Sequence, residues 1–178
     1  MEILCQRLSA DRKISLGELE KLKTYIGTRK NVVLDDVLKA VGDASNNSVE
    51  DFCFYVASGQ MEKAVKTYQS LLYEGEEPAS LIRTLSYHFL KILECIAKIE
   101  NGGTAEFALS SVKPPVMWFR KSEFLMQLKI WKKSTVFDVL MLLYKAEKDC
   151  KLTNLPSDDI ASWTVMQVTG AARKMKAM

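Results

Sequence analysis

Apolar residues recur every three to four positions along most of this chain, most clearly from Val49 to Glu100. Phe52, Cys53 and Val56 share one face of a predicted helix that ends at Gly59. Ser48 and Asp51 open it like a capping box, with Asp where Glu is usual. Met61, Ala64, Val65, Tyr68 and Leu72 mark a second helix, ended by Gly75. After Glu76, Glu77 and Pro78, a longer stripe runs through Ile82, Leu85, Phe89, Leu93 and Ile96 to Gly102 and Gly103. Such stripes have to be buried against each other or against a partner.

The flanking sequence reads the same way. Met1 to Ser9 looks like the end of a helix, and Ala10 to Ile14 like a turn. Ser15, with Glu18 three residues on, is positioned to cap a helix carrying Leu16, Leu19, Leu22 and Ile26 and ending at Gly27. A helix from Asp35 buries Val37, Leu38 and Val41 and ends at Gly42. Asp43 to Asn47 is then the best candidate for a domain boundary. Asn31 to Leu34 is the one weak strand signal. Downstream, Thr104 is placed to cap a short helix through Phe107 and Leu109. Pro114 and Pro115 break the chain before a helix with Phe124, Leu125, Leu128 and Trp131. Ser134 or Thr135 opens the next, with Val139, Leu140, Leu143, Ala146 and Cys150. Ser157 caps the last, with Asp158 and Asp159 in its first turn and Arg173, Lys174 and Lys176 at its end. No internal repeat has a fixed period, against a tetratricopeptide array. The pattern predicts an all-α bundle.

Composition narrows the function more than the fold. The 178 residues are 48% hydrophobic, enough for a core. With 25 basic and 22 acidic residues the net charge is +3, too small to argue for nucleic acid by itself. Cys5, Cys53, Cys95 and Cys150 are far apart and read as reduced thiols, not a redox or zinc motif. His88, the single histidine, reads as a packing residue. No apolar run approaches the roughly 20 residues that span a bilayer, and no signal peptide is evident. A soluble, cytoplasmic protein without membrane attachment is expected. Phosphate loops and Gly-x-Gly-x-x-Gly are absent. The pairs Asp35/Asp36, Glu76/Glu77 and Asp158/Asp159 sit at helix starts, where capping accounts for them. No serine or cysteine has a histidine base in a recognisable motif. No catalytic, cofactor-binding or metal-ligating residue is expected, and the chain reads as a non-enzyme.

One segment is less readily assigned to packing. Lys113 to Lys121 sets Trp118 and Phe119 between Lys113 on one side and Arg120 and Lys121 on the other. Aromatics among cations stack on bases and neutralise phosphates. The competing reading is that Trp118 or Phe119 closes the core.

Several short motifs, in order, resemble the delta subunit of the bacterial DNA polymerase III clamp loader. They are Asp11-Arg12, Glu18-Leu19-Glu20-Lys21-Leu22 with Tyr25, and Asp36-Val37 followed by Val41-Gly42-Asp43. Gly59, Ala64, Leu71-Leu72 and Glu74-Gly75-Glu76-Glu77-Pro78 continue the series. His88-Phe89, Lys113-Pro114-Pro115-Val116, Trp131 and Ala146-Glu147 with Lys151 complete it. The Pro-Pro-Val and Gln127-to-Trp131 segments are similar to an alphaproteobacterial branch.

The resemblance implies a helical collar domain over residues 43–178, preceded by a remnant of the ATPase-like lid domain over 1–42. It implies a non-catalytic part of a DNA-directed DNA polymerase (nucleotidyltransferase) assembly, with delta-prime and tau/gamma subunits as partners. Primer–template DNA would be met only within the complex. The family's clamp-binding amino-terminal domain is not in these residues, so sliding-clamp contact is not expected. Lys113, Trp118, Phe119, Arg120 and Lys121 are candidate DNA-proximal residues. In some relatives a tyrosine follows shortly after the position of Lys151, where Thr153 and Asn154 stand here. The last helix offers Ile160, Trp163, Thr164, Val168 and Ala171 as candidate subunit-interface residues. The alternative is a generic helical adaptor with no replication role.

Overall fold

Glycine and proline punctuate a chain whose regular elements are all helical among the described residues. The structure, a computed structural model, describes residues 12–27, 29, 32, 36 and 49–177. Two compact units divide it, Met1–Ser48 and Val49–Met178.

In the first unit, α1 spans Arg12–Ile26 and stops at Gly27, whose φ of 59° suits glycine. Leu22 is buried, Ile26 is half-buried, and Leu16 and Leu19 are exposed. The helix starts three residues ahead of Ser15, so Ser15 lies inside it instead of capping it. The expectations for Met1–Ser9, the Asn31–Leu34 strand, the helix from Asp35, the Asp43–Asn47 loop and the Ser48 cap fall wholly or mostly outside the described residues.

The second unit holds α2 (Val49–Ala57), α3 (Met61–Tyr73), α4 (Pro78–Glu100), α5 (Ala105–Ser110), α6 (Lys121–Ile130), α7 (Lys133–Cys150) and α8 (Ser157–Lys176). A single 3-10 turn, Trp118–Arg120, precedes α6. Pro78 starts α4, where its missing N–H costs nothing. Thr104 caps α5 by accepting the Phe107 N–H at 3.2 Å. Thr135 works from within the first turn of α7, its hydroxyl accepting the Lys132 N–H at 3.2 Å. Ser157 does not cap α8. It is already helical, Pro156 precedes it, and no side chain makes the cap bond.

The long helix α4 runs through the centre and packs against α2, α6, α7 and α8. Its Leu81, Ile82, Leu85, Phe89 and Ile92 are fully buried, beside Phe52, Phe54, Phe124 and Leu143. Each such side chain contributes about 2 kcal/mol of transfer free energy. Trp131 falls one residue beyond α6, in extended conformation. It remains in the core, edge-on to Phe89 at 4.8 Å, and donates its indole N–H to the Ala57 carbonyl at 2.8 Å. Arg83 pairs with Glu147 at 2.9 Å and Lys133 with Glu100 at 3.0 Å. These exposed pairs add little stability, but they mark α4 and α7 as antiparallel.

Candidate functional site

Proline at 114 and 115 keeps the chain extended until the 3-10 turn, which holds two aromatic rings out from the surface. Trp118 is 68% exposed and Phe119 53%, their rings edge-to-face at 5.8 Å. Neither closes the core. Lys113 and Lys121 are exposed beside them. Arg120 turns the other way. Its guanidinium pairs with Asp51 and, at 2.8 Å, with Glu123, and lies 4.9 Å from the Phe54 ring centre. Two carboxylates and an aromatic face hold it more strongly than a surface position would. Among the five DNA-proximal candidates Arg120 is therefore an anchor for the turn, while the other four are on the surface. Asp51, read as a cap residue, was the partner that the sequence did not reveal.

The five residues of α8 also divide. Trp163 is 61% exposed, and Ile160 and Ala171 are half-buried. Thr164 and Val168 are buried in the chain's own core, and the Thr164 hydroxyl donates to the Ile160 carbonyl at 2.7 Å. The stripe that reads as one face is split because α8 packs against α2, α3, α4 and α7.

A groove of about 810 Å³ lies between α4 and residues 114–117. Phe54, His88 and Phe124 are among its lining residues, with Lys91, Lys113, Glu50 and Glu94. His88 is held by Gln127, a residue the sequence pattern did not single out. The Gln127 amide nitrogen donates to the Phe54 carbonyl at 3.2 Å and to Ser58 Oγ at 2.9 Å. Its oxygen then accepts from His88 Nε2–H at 2.8 Å, which puts the proton of the neutral ring on Nε2. Burial lowers the His88 pKa to about 4, against the hydrogen bond it donates to Gln127, which raises it. Between pH 6.5 and about 4 the unfolded chain takes up a proton that the folded chain does not. Stability is therefore expected to fall as pH drops through that window. Urea unfolding from pH 7 to 4.5 should show this loss, and His88→Phe should reduce it.

Among the described residues no group of three His, Cys, Asp or Glu side chains is placed to hold a metal ion. Burial raises the thiol of Cys53 far above its ordinary range and that of Cys95 to about 11, which leaves them poor nucleophiles. Among the described residues no helix is long and apolar enough to cross a membrane.

No family model matches the chain. Curated relatives do. The probable DNA polymerase III subunit delta of Rickettsia prowazekii is 22% identical over 145 residues, covering 82% of this chain and 45% of that protein. The probable DNA polymerase III subunit delta of Aquifex aeolicus is 29% identical over 136 residues, 76% of this chain and 39% of that one. The Bacillus subtilis DNA polymerase III subunit delta is 26% identical over 96 residues, 54% and 28% of the respective chains. The chain is delta-like. The resemblance drawn from its motifs is borne out by these relatives, of which the delta-like chain spans less than half the length. The fold agrees as well. The Bacillus subtilis DNA clamp loader delta protein superposes on 95% of the delta-like chain and 49% of its own, with a TM-score of 0.65 at 21% identity.

Proposed function

We propose that this chain is a non-catalytic part of a clamp-loader delta subunit, which assembles with the other loader subunits so that a sliding clamp is loaded on primed DNA. The observation that carries the reading is that three relatives named as delta subunits align over 54–82% of the chain. Under it, residues 43–178 are the collar and residues 1–42 the end of the lid domain. Partners are the delta-prime and tau/gamma type subunits. A helical surface with large exposed apolar groups, Trp163 of α8 among them, is the kind of surface that subunit assembly uses.

Sizing-column co-elution tests it. The folded chain is mixed with the delta-prime and ATPase subunits of the same genome, with and without ATP. A stable complex supports the reading. Its absence favours a generic helical adaptor.

A contact with primer–template DNA inside that complex belongs to the same reading. Exposed Trp118 and Phe119 between Lys113 and Lys121 favour it. Trp118→Ala is expected to leave assembly unchanged and to weaken retention of primed DNA by the assembled complex about tenfold, measured by fluorescence anisotropy. Equal retention by both proteins would remove Trp118 from the DNA surface.

A further inference from the structure

The turn that presents Trp118 and Phe119 has little to hold it by itself. Pro114 and Pro115 ahead of it carry no N–H, and a three-residue 3-10 turn makes few hydrogen bonds of its own. The Arg120 side chain supplies the hold. It pairs with Asp51 in the first turn of α2 and with Glu123 in the first turn of α6, so it ties the turn to two helices. Its guanidinium carbon lies 4.9 Å from the centre of the buried Phe54 ring and 6.0 Å from that of Phe119. Phe119 in turn meets Trp118 edge-to-face, their planes at 88°. A chain of contacts thus runs from the core ring of Phe54 through Arg120 and Phe119 to Trp118.

The same contacts take Arg120 out of the set of free surface cations. Only 18% of its side chain is exposed, and two carboxylates neutralise it. A phosphate would have to displace one of them. Its Nε is enclosed without a hydrogen-bond partner, a cost that a methionine packed on Phe54 would avoid, so packing alone does not account for an arginine here. A planar fork that reaches two carboxylates at once does. We propose that Arg120 is a positioning residue for the DNA contact: it fixes the rings of Trp118 and Phe119 as a stacking platform and touches no phosphate itself. The inference rests on the reading of Trp118 as a DNA-stacking residue, and it adds what holds that residue in place.

The test uses Arg120→Met, which keeps an apolar stem over Phe54, and Arg120→Lys, which keeps the charge but not the fork. Each full chain is assembled with the delta-prime and ATPase subunits, after unchanged far-ultraviolet circular dichroism has shown that it folds. Both variants should weaken retention of primed DNA about tenfold, as Trp118→Ala does, read by fluorescence anisotropy. In Arg120→Met the slope of log affinity against log salt should stay that of the wild type, whereas a lost phosphate contact makes it shallower by about one unit. Added to Trp118→Ala, Arg120→Met should cost less than about twofold more, because both act through one ring. In the free chain carrying 5-fluorotryptophan, the fluorine NMR line that Trp118→Phe removes should shift and broaden in both Arg120 variants, with the lines of Trp131 and Trp163 unmoved. A shallower slope in Arg120→Met, or full retention by Arg120→Lys, makes Arg120 a phosphate contact and overturns the inference. An unmoved Trp118 line, unchanged retention by Arg120→Met, or a full further loss in the Trp118→Ala background overturns it too. Each of these leaves the DNA reading of Trp118 standing. Equal retention by wild type and Trp118→Ala overturns that reading and the inference together.

Discussion

Gly59→Ala is expected to lower the unfolding free energy by about 3 kcal/mol. Two effects add at this position. Gly59 has φ of 73°, in the left-handed region where a β-carbon costs about 1–2 kcal/mol. A β-carbon there would also lie 2.8 Å from the Arg173 backbone nitrogen and 3.0 Å from its Cα. Both contacts are backbone of α8, so relief requires moving a helix and not merely rotating a side chain. Gly75 separates the two effects. Its φ of 96° is also left-handed, but nothing lies within 4 Å of its β-carbon position. Gly75→Ala should therefore cost only the backbone part, about 1–2 kcal/mol. Urea denaturation of both variants decides the matter. Equal losses would mean that the approach of α8 does not constrain Gly59.

Gln127→Leu is expected to cost about 2–3 kcal/mol. The substitution puts an apolar side chain of similar size there and removes a group that satisfies His88 Nε2–H, Ser58 and Phe54 at once. The Phe54 carbonyl still accepts the Ser58 N–H at 3.0 Å, so the main orphan is the buried His88 N–H. Replacing both partners of a buried bond costs less than replacing one. The double variant Gln127→Leu with His88→Phe should therefore be more stable than the sum of its singles predicts, by about 1 kcal/mol or more. Additive losses in a double-mutant cycle would show that this bond contributes no coupling.

Helix placement was largely legible because capping, glycine and 3.6-residue periodicity act locally. Gly59, Gly75 and Pro78 stand where those rules put helix ends and starts. Ser157 misled because a Ser-Asp-Asp start has the composition of a cap, yet Pro156 already occupies the cap position. Thr164 and Val168 were legible as members of one helical face, offered for subunit contact, but not as core, since periodicity gives a face and does not say what covers it. Gln127 entered only as the first residue of a family-like segment, and its buried role left no local signal, because a polar residue between apolar neighbours reads as solvent-facing until its partners are known. Arg120 likewise reads as one more cation beside Trp118, and only its ion pairs with Asp51 and Glu123 give it a separate role.

The amino-acid sequence by itself pointed to an all-α fold, the breaks between helices, the face of each that must be apolar, and the motifs that resemble those of delta subunits. These follow from backbone sterics, hydrogen bonding within a few residues, and the helical period. The tertiary structure alone decided which apolar residues are core and which, like Phe137, Met141 and Trp163, remain on the surface. It also decided that Gly59 lies against the backbone of α8 and that Arg120 turns inward while Trp118 turns out. Those outcomes depend on partners more than a hundred residues away for Gly59 and 69 residues away for Arg120, and local pattern carries no information about such pairings.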